Sequence, residues 1–319
     1  SATIPKTVLA VAATPAASFA QTEQPPKRQN QQQKPPPKPR APYALVRSWD
    51  AGEAGGIALA GPDTLYLAGY EHILKFSTEG TLVDSWGGLG TAEGQFSGVG
   101  DVAVDVEGNV YAVDINNHRV QKFQSDGTFV VAWGSRGEEP GQFQFPWSLC
   151  VDGDNNVYVA DPDNARIQKF DAEGGYLAEW GGRGGADGEF RSLSDIAVDG
   201  ANHIYVLDEG NYRVQKFDAD GGFITAWGQE GAGAGEFDAM GSIAAGPDGA
   251  IFVSDYQDDD DQRIEKFSAT GAFLTQWRSD GSGRGGNWNV ATGMAVDGQG
   301  HVYVSDAEYE RILVFAPTA

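Results

Sequence analysis

Tryptophan recurs along this chain with a spacing that few folds accommodate. Trp49, Trp86, Trp133, Trp180, Trp227 and Trp277 are separated by 37, 47, 47, 47 and 50 residues and make up six of the eight tryptophans. Between them one unit returns. Its best copies read DVAVDVEGNVYAVDINNHRVQKFQSDGTFVVAW, LCVDGDNNVYVADPDNARIQKFDAEGGYLAEW and DIAVDGANHIYVLDEGNYRVQKFDADGGFITAW. Apolar and polar residues alternate over short runs, and Gly, Asn or Asp separates the runs. That is the signature of half-buried strands joined by tight turns. Four strands fit each unit, near 101–104, 110–113, 119–123 and 129–133 in the second copy. A 40–50-residue repeat of four short strands is a β-propeller blade, so the expected fold is all-β. The 44 glycines supply the turns that so many short strands require.

The blade count follows from one column. Inner strands begin at Ile57, Val102, Leu149, Ile196, Ile243 and Met294, which gives six blades. The sixth copy ends at Phe315 without an outer strand or tryptophan, whereas Ala44–Trp49 is an outer strand without a blade. The economical expectation is that 44–49 completes the last blade. Pairing the two ends then removes an exposed sheet edge.

The net charge of −23 conceals two opposed parts. Residues 1–40 hold Lys6, Lys27, Arg28, Lys34, Lys38 and Arg40 against Glu23 alone, a charge of +5, so the remainder carries −28. Three regions are expected: a signal-like or arm segment over 1–20, a Pro/Gln/Lys-rich linker over 21–42, and the propeller over 43–319. Lys6 precedes the mildly apolar run Thr7–Ala17, and Ser18-Phe19-Ala20 fits a small-x-small cleavage site. Residues 21–40, with Pro35-Pro36-Pro37-Lys38-Pro39-Arg40, cannot bury a core and suit an extended tether. An extracytoplasmic location (periplasmic, cell-surface or secreted) follows as an expectation. The acidic body argues against nucleic acid. No run reaches the roughly 18 apolar residues of a spanning helix. The single cysteine excludes an intramolecular disulfide framework.

Most repeated residues read as structural. Asp ends the second strand and Arg opens the third in five copies: Asp114 and Arg119, Asp161 and Arg166, Asp208 and Arg213, Asp255 and Arg263, Asp306 and Arg311. A hairpin brings such residues together for a charge-assisted hydrogen bond, and a catalytic pair would not occur five times. Asn117, Asn164 and Asn211 read as turn-forming. Cys150 shares a column with Ala58, Ala103, Ala197, Ala244 and Ala295, so it reads as a small packed residue.

Function is then sought in departures from the repeat, on the face where second-to-third-strand loops and blade-to-blade loops meet, here the upper face. The channel mouth is expected to be rimmed by Gly56, Asp101, Ser148, Asp195, Ser242 and Gly293. Asp101 and Asp195 offer oxygen ligands for a channel Ca²⁺, with a hydrated polar channel as the plain alternative and no cofactor otherwise expected. Trp147, outside the tryptophan column, Arg136, Arg183, Tyr212, Tyr256 and His118 are candidate ligand- or partner-binding residues, since aromatics and arginines anchor interfaces. Tyr70, Tyr309 and Arg191 lie on the same loops. The Asp258–Asp261 run lacks the alternating pattern of a calcium loop and reads as a solvated acidic loop.

The motifs D-x-x-N-x-R-[VI]-Q-K-F and D-x-x-G-x-[FY] resemble NHL repeats over about 44–319, most closely in the three central blades. The first blade departs, with Gly69 for the Asp and His72 for the Arg. The resemblance implies a six-bladed propeller and two functional classes. One is a non-catalytic protein- or ligand-binding module, tethered by the basic arm in an extracytoplasmic assembly, with a protein partner or homo-assembly through the arm and upper face. The other is a metal-dependent lyase or lactonase-type enzyme with its site at the channel mouth. Amidating lyases of this kind hold a channel metal with several histidines. Here His72 and His118 fall on the upper face and His203 and His301 on the lower, so no three-histidine site is expected. The calcium signature of six-bladed lactonases is not evident.

Overall fold

The computed structural model describes residues 41–256, 262–278 and 291–318. The 1–40 segment and the Asp258–Asp261 run lie outside the described residues.

Twenty-four strands form six four-stranded antiparallel sheets. The first blade contains β2 (Ile57–Ala60), β3 (Thr64–Ala68), β4 (His72–Ser77) and β5 (Leu82–Gly87). The second contains β6 (Val99–Val104), β7 (Val110–Asp114), β8 (Arg119–Phe123) and β9 (Phe129–Trp133). The third runs β10 (Ser148–Val151), β11 (Val157–Asp161), β12 (Arg166–Phe170), β13 (Tyr176–Gly181). The fourth runs β14 (Leu193–Val198), β15 (Ile204–Asp208), β16 (Arg213–Phe217), β17 (Phe223–Trp227). The fifth runs β18 (Ala239–Ala245), β19 (Ile251–Tyr256), β20 (Gln262–Phe267), β21 (Phe273–Arg278). In the sixth, β22 (Ala291–Val296), β23 (Val302–Asp306) and β24 (Arg311–Pro317) are completed by β1 (Tyr43–Asp50). Trp49 lies opposite Ile312 and Tyr43 opposite Pro317, which is the expected closure.

Burial explains the pattern. The second strands are buried throughout, as in VYAVD, VYVAD and IYVLD, because each is covered by a blade on both faces. Outer strands such as Tyr176–Gly181 alternate with the solvent. The repeated tryptophans work between blades. The ring of Trp86 covers Gly127 of the next blade, Trp133 covers Gly174, Trp180 covers Gly221 and Trp227 covers Gly271. Each of these glycines has φ between 81° and 86°, and any side chain there would strike the indole. Trp49 covers Gly80 in the same manner, so the closing strand also packs onto the first blade. Trp277 faces the start of β1 and stacks on Tyr43 instead.

Candidate functional site

The repeat motif is fully occupied in holding the ring together. All five Asp–Arg pairs form, with N–O separations of 2.8, 3.2, 2.8, 2.8 and 2.9 Å in chain order. Asp114 also accepts from Asn117, Gln121 and the Ser97 backbone N–H. Arg119 donates to the Ala92 and Gln95 carbonyls in the loop from the preceding blade. Arg166, Arg213 and Arg263 repeat this grip. In the first blade Glu53 substitutes for the missing aspartate, accepting the Tyr70 N–H across Gly69, where a side chain would collide with it. The lysines of the Q-K-F column secure the other face. Lys75, Lys122, Lys169 and Lys216 donate to carbonyls of Ser125, Ala172, Ala219 and Ala269 in the following blade. Lys122 and Lys216 also sit 5.1 and 4.9 Å from the ring centroids of Tyr111 and Tyr205. These cations are therefore spent on interblade contacts.

At the channel mouth the predicted rim residues form a hydrogen-bonded chain. The Ser148 Oγ lies 2.9 Å from Asp101 Oδ2 and 2.6 Å from Asp195 Oδ1, and Ser242 Oγ donates to Asp195 Oδ2 at 2.7 Å. Asp195 also accepts the Ile196 and Ile243 N–H groups, so four donors stabilise its negative charge. Ser148 has one hydroxyl hydrogen and faces two carboxyls. Satisfying both contacts requires a proton on one of them. Asp101 is the carrier: burial, reinforced by the charge of Asp195, pushes its carboxyl up to about 7. Burial raises Asp195 as well. The oxygens that would coordinate a cation already accept N–H and O–H donors, so Asp101 and Asp195 do not fit a ready calcium cage. Among the described residues no cluster of three His, Cys, Asp or Glu side chains forms a metal site. Below the mouth, the alanine column and Cys150 line a narrow cavity of about 250 Å³. Cys150 is buried, and burial with the neighbouring aspartates keeps its thiol well above the ordinary range, as suits a packed residue.

Above the mouth the upper face opens into a bowl of about 700 Å³ with mostly apolar walls. Two sequence columns build it. The floor is the residue before each rim position: Gly55, Gly100, Trp147, Ser194, Gly241 and Thr292. Five are small, which creates the space, and Trp147 alone projects large apolar surface, with 51% exposure. The wall is the residue after the repeat Asp position: Tyr70, Ile115, Pro162, Glu209 and Tyr256. Most polar groups here are engaged. Asn116 donates to Ser97, Thr292 meets Ala54 and Ser305, and Tyr256 donates to Ala291, bridging blade five to blade six. The Ser194 hydroxyl is buried and makes no hydrogen bond among the described residues. Glu209 is the only charged residue lining the bowl among the described residues, and burial alone pushes its carboxyl above the ordinary range.

The structure sorts the candidate residues. Trp147 and Tyr256 line the bowl. His118 and Tyr212 do not. They share the left-handed position that ends the second-to-third-strand turn, with φ 53° and 54°. The reversal turns them into packing: His118 accepts the Phe145 N–H at 3.1 Å and meets its ring edge-on, and Tyr212 packs on the core holding Phe237. Burial lowers the His118 pKa, aided by Arg136. Arg136 and Arg183 are exposed outside the bowl, bonded to Gln144 and to the Asp163 carbonyl. Sequence reasoning missed Glu209, although it falls in a column that the repeat alignment exposes.

The NHL repeat model matches residues 96–123, 143–170 and 190–217, in blades two, three and four. The chain is a six-bladed β-propeller that carries NHL repeats in these three blades. A solved structure, a structural-genomics protein of unknown function from Bacteroides thetaiotaomicron, is similar with a TM-score of 0.63 and 15% identity, over 86% of this chain and 72% of that one. At that identity the likeness establishes fold alone. No curated protein matches.

Proposed function

We propose that this propeller is a non-catalytic binding module that receives its ligand or partner in the upper-face bowl, within an extracytoplasmic assembly to which the basic 1–40 segment tethers it. One observation carries the reading: the repeat's Asp, Asn, Arg, Gln and Lys side chains are engaged within and between blades, whereas the bowl is built from the non-repeated columns and keeps the Glu209 carboxyl without a partner among the described residues. A concave, mostly apolar site with a few convergent polar groups is the usual form of a ligand pocket. Exposed Tyr70 and Trp147 at its edge add the aromatic surface that anchors a partner. No helix among the described residues is long and apolar enough to cross a membrane. The test is a ligand-observed NMR screen of a fragment library against wild type and Trp147→Ala. Hits lost with Trp147→Ala support the reading, and a hit set indifferent to that change contradicts it.

A further inference from the structure

We propose that the bowl binds a small organic cation, a protonated amine carried on an apolar, ring-bearing body. The inference rests on the bowl being the ligand site and names the chemistry it selects. Four observations converge. First, among the described residues the Glu209 carboxylate is the single charged group lining the bowl, and it meets no cation there; Arg191, on a neighbouring loop, lies over Gly210 and contacts its carbonyl. A carboxylate held in an apolar cavity without a partner is costly unless a ligand brings the countercharge. Second, the cost shows in the carboxyl itself, which burial in the bowl wall pushes above the ordinary range. An ammonium group brings the countercharge together with several N–H donors for the carboxylate oxygens. Third, Trp147, Tyr70 and Tyr256 line the same space, and the ring faces of aromatics attract cations. Fourth, Gly55, Gly100, Gly241, Ile115 and Leu193 leave an apolar volume too large for a bare ammonium ion. An anionic ligand would place like charge beside Glu209, and a neutral one would leave its charge unpaired.

The probes are 4-phenylbutylamine, the neutral 4-phenylbutan-1-ol and the anionic 4-phenylbutanoate, titrated into the full chain and followed by calorimetry and by the Trp147 indole resonance. The expected order is amine, then alcohol, then acid, with the amine about tenfold tighter than the alcohol, the ratio a paired buried charge supports. Glu209→Gln keeps the shape and removes the charge, and it should bring amine and alcohol within about twofold of each other. Glu209→Asp keeps the charge and should keep the preference for the amine, which guards against a merely steric effect. Equal binding of amine and alcohol to wild type, or a preference that survives Glu209→Gln, overturns the cation inference and leaves the bowl as a ligand site. Binding that leaves the Trp147 resonance unmoved overturns the bowl itself.

Discussion

Tyr43 stacks on Trp277 with ring centroids 4.1 Å apart and planes within 15°. The first residue of the closing strand thus lies on the outer-strand tryptophan of blade five, where other blades present a turn glycine. Lys266 lies 5.9 Å from the same Tyr43 ring and 5.1 Å from Phe252, which stands where the other blades have the lysine-contacted tyrosine. Closure is consequently a packing event as well as a strand pairing. Tyr43→Ala should cost roughly 3–5 kcal/mol, the range for an excised buried aromatic. Deleting 44–49 should lower the melting temperature several times more than deleting 1–40. Equal melting temperatures for the two deletions would refute the closure.

The tryptophan–glycine contacts give a controlled comparison. Gly174 and Gly108 have nearly the same φ, 86° and 87°. A Cβ at Gly174 meets the Trp133 ring at 2.5 Å, while one at Gly108 meets nothing within 4 Å. Alanine at Gly108 should cost about 1 kcal/mol, the conformational price alone. Gly174→Ala should cost about 2–3 kcal/mol more, because the indole must move. Urea unfolding of the two variants measures the difference, and similar midpoints would contradict the contact.

The Asp–Arg grip should outweigh surface arginines. Asp208 is fully buried and holds Arg213, which also binds the Ala186 and Glu189 carbonyls. Arg213→Ala strands that carboxylate and should cost about 3–5 kcal/mol. Arg183→Ala loses one exposed carbonyl contact and should stay within about 0.5 kcal/mol of wild type. Comparable losses would show that the repeat arginines do not clamp the blades.

The shared proton at the channel mouth predicts a pH dependence. An unfolded aspartate titrates near 3.9, whereas Asp101 in the fold is raised to about 7 by burial and by Asp195. A raised value means that the fold holds the proton more tightly than the unfolded chain. The resulting stability is complete below about pH 4 and is lost as pH rises through about 7. Glu265 is also raised to about 7, so the difference from Asp101→Asn isolates the site. Asparagine is neutral at every pH and removes the titration; an amide N–H in place of Oδ2 leaves the Leu149 N–H without its acceptor, a cost that does not vary with pH. Wild type should lose about 2–3 kcal/mol more than Asp101→Asn between pH 5 and pH 8. Parallel stability curves would contradict the shared proton.

Much of this architecture is legible in the sequence. The tryptophan period, the inner-strand column and the orphan Ala44–Trp49 strand carry the blade number and the closure, because a repeat must obey one geometry six times. The Asp–Arg pairs are legible for the same reason. The bowl is less so. Its floor and wall occupy variable columns, and only a three-dimensional ring shows that Glu209 lines the same space as Trp147. His118 and Tyr212 look like upper-face ligands because they sit on the right loop. Their left-handed backbone, invisible in residue type, turns them into the packing between blades.

Ligand is expected to enter the bowl above the channel. The most direct measurement is one NMR titration with 4-phenylbutylamine that reads the Trp147 indole N–H, assigned with Trp147→Phe, beside the ring resonances of His203 and His301. Those histidines bond Asp199 and Asp297 on the opposite face and serve as internal references. Trp147 is expected to shift with saturation while both histidines stay fixed. Saturable shifts at His203 or His301 with Trp147 unmoved would place the site on the other face and contradict that expectation.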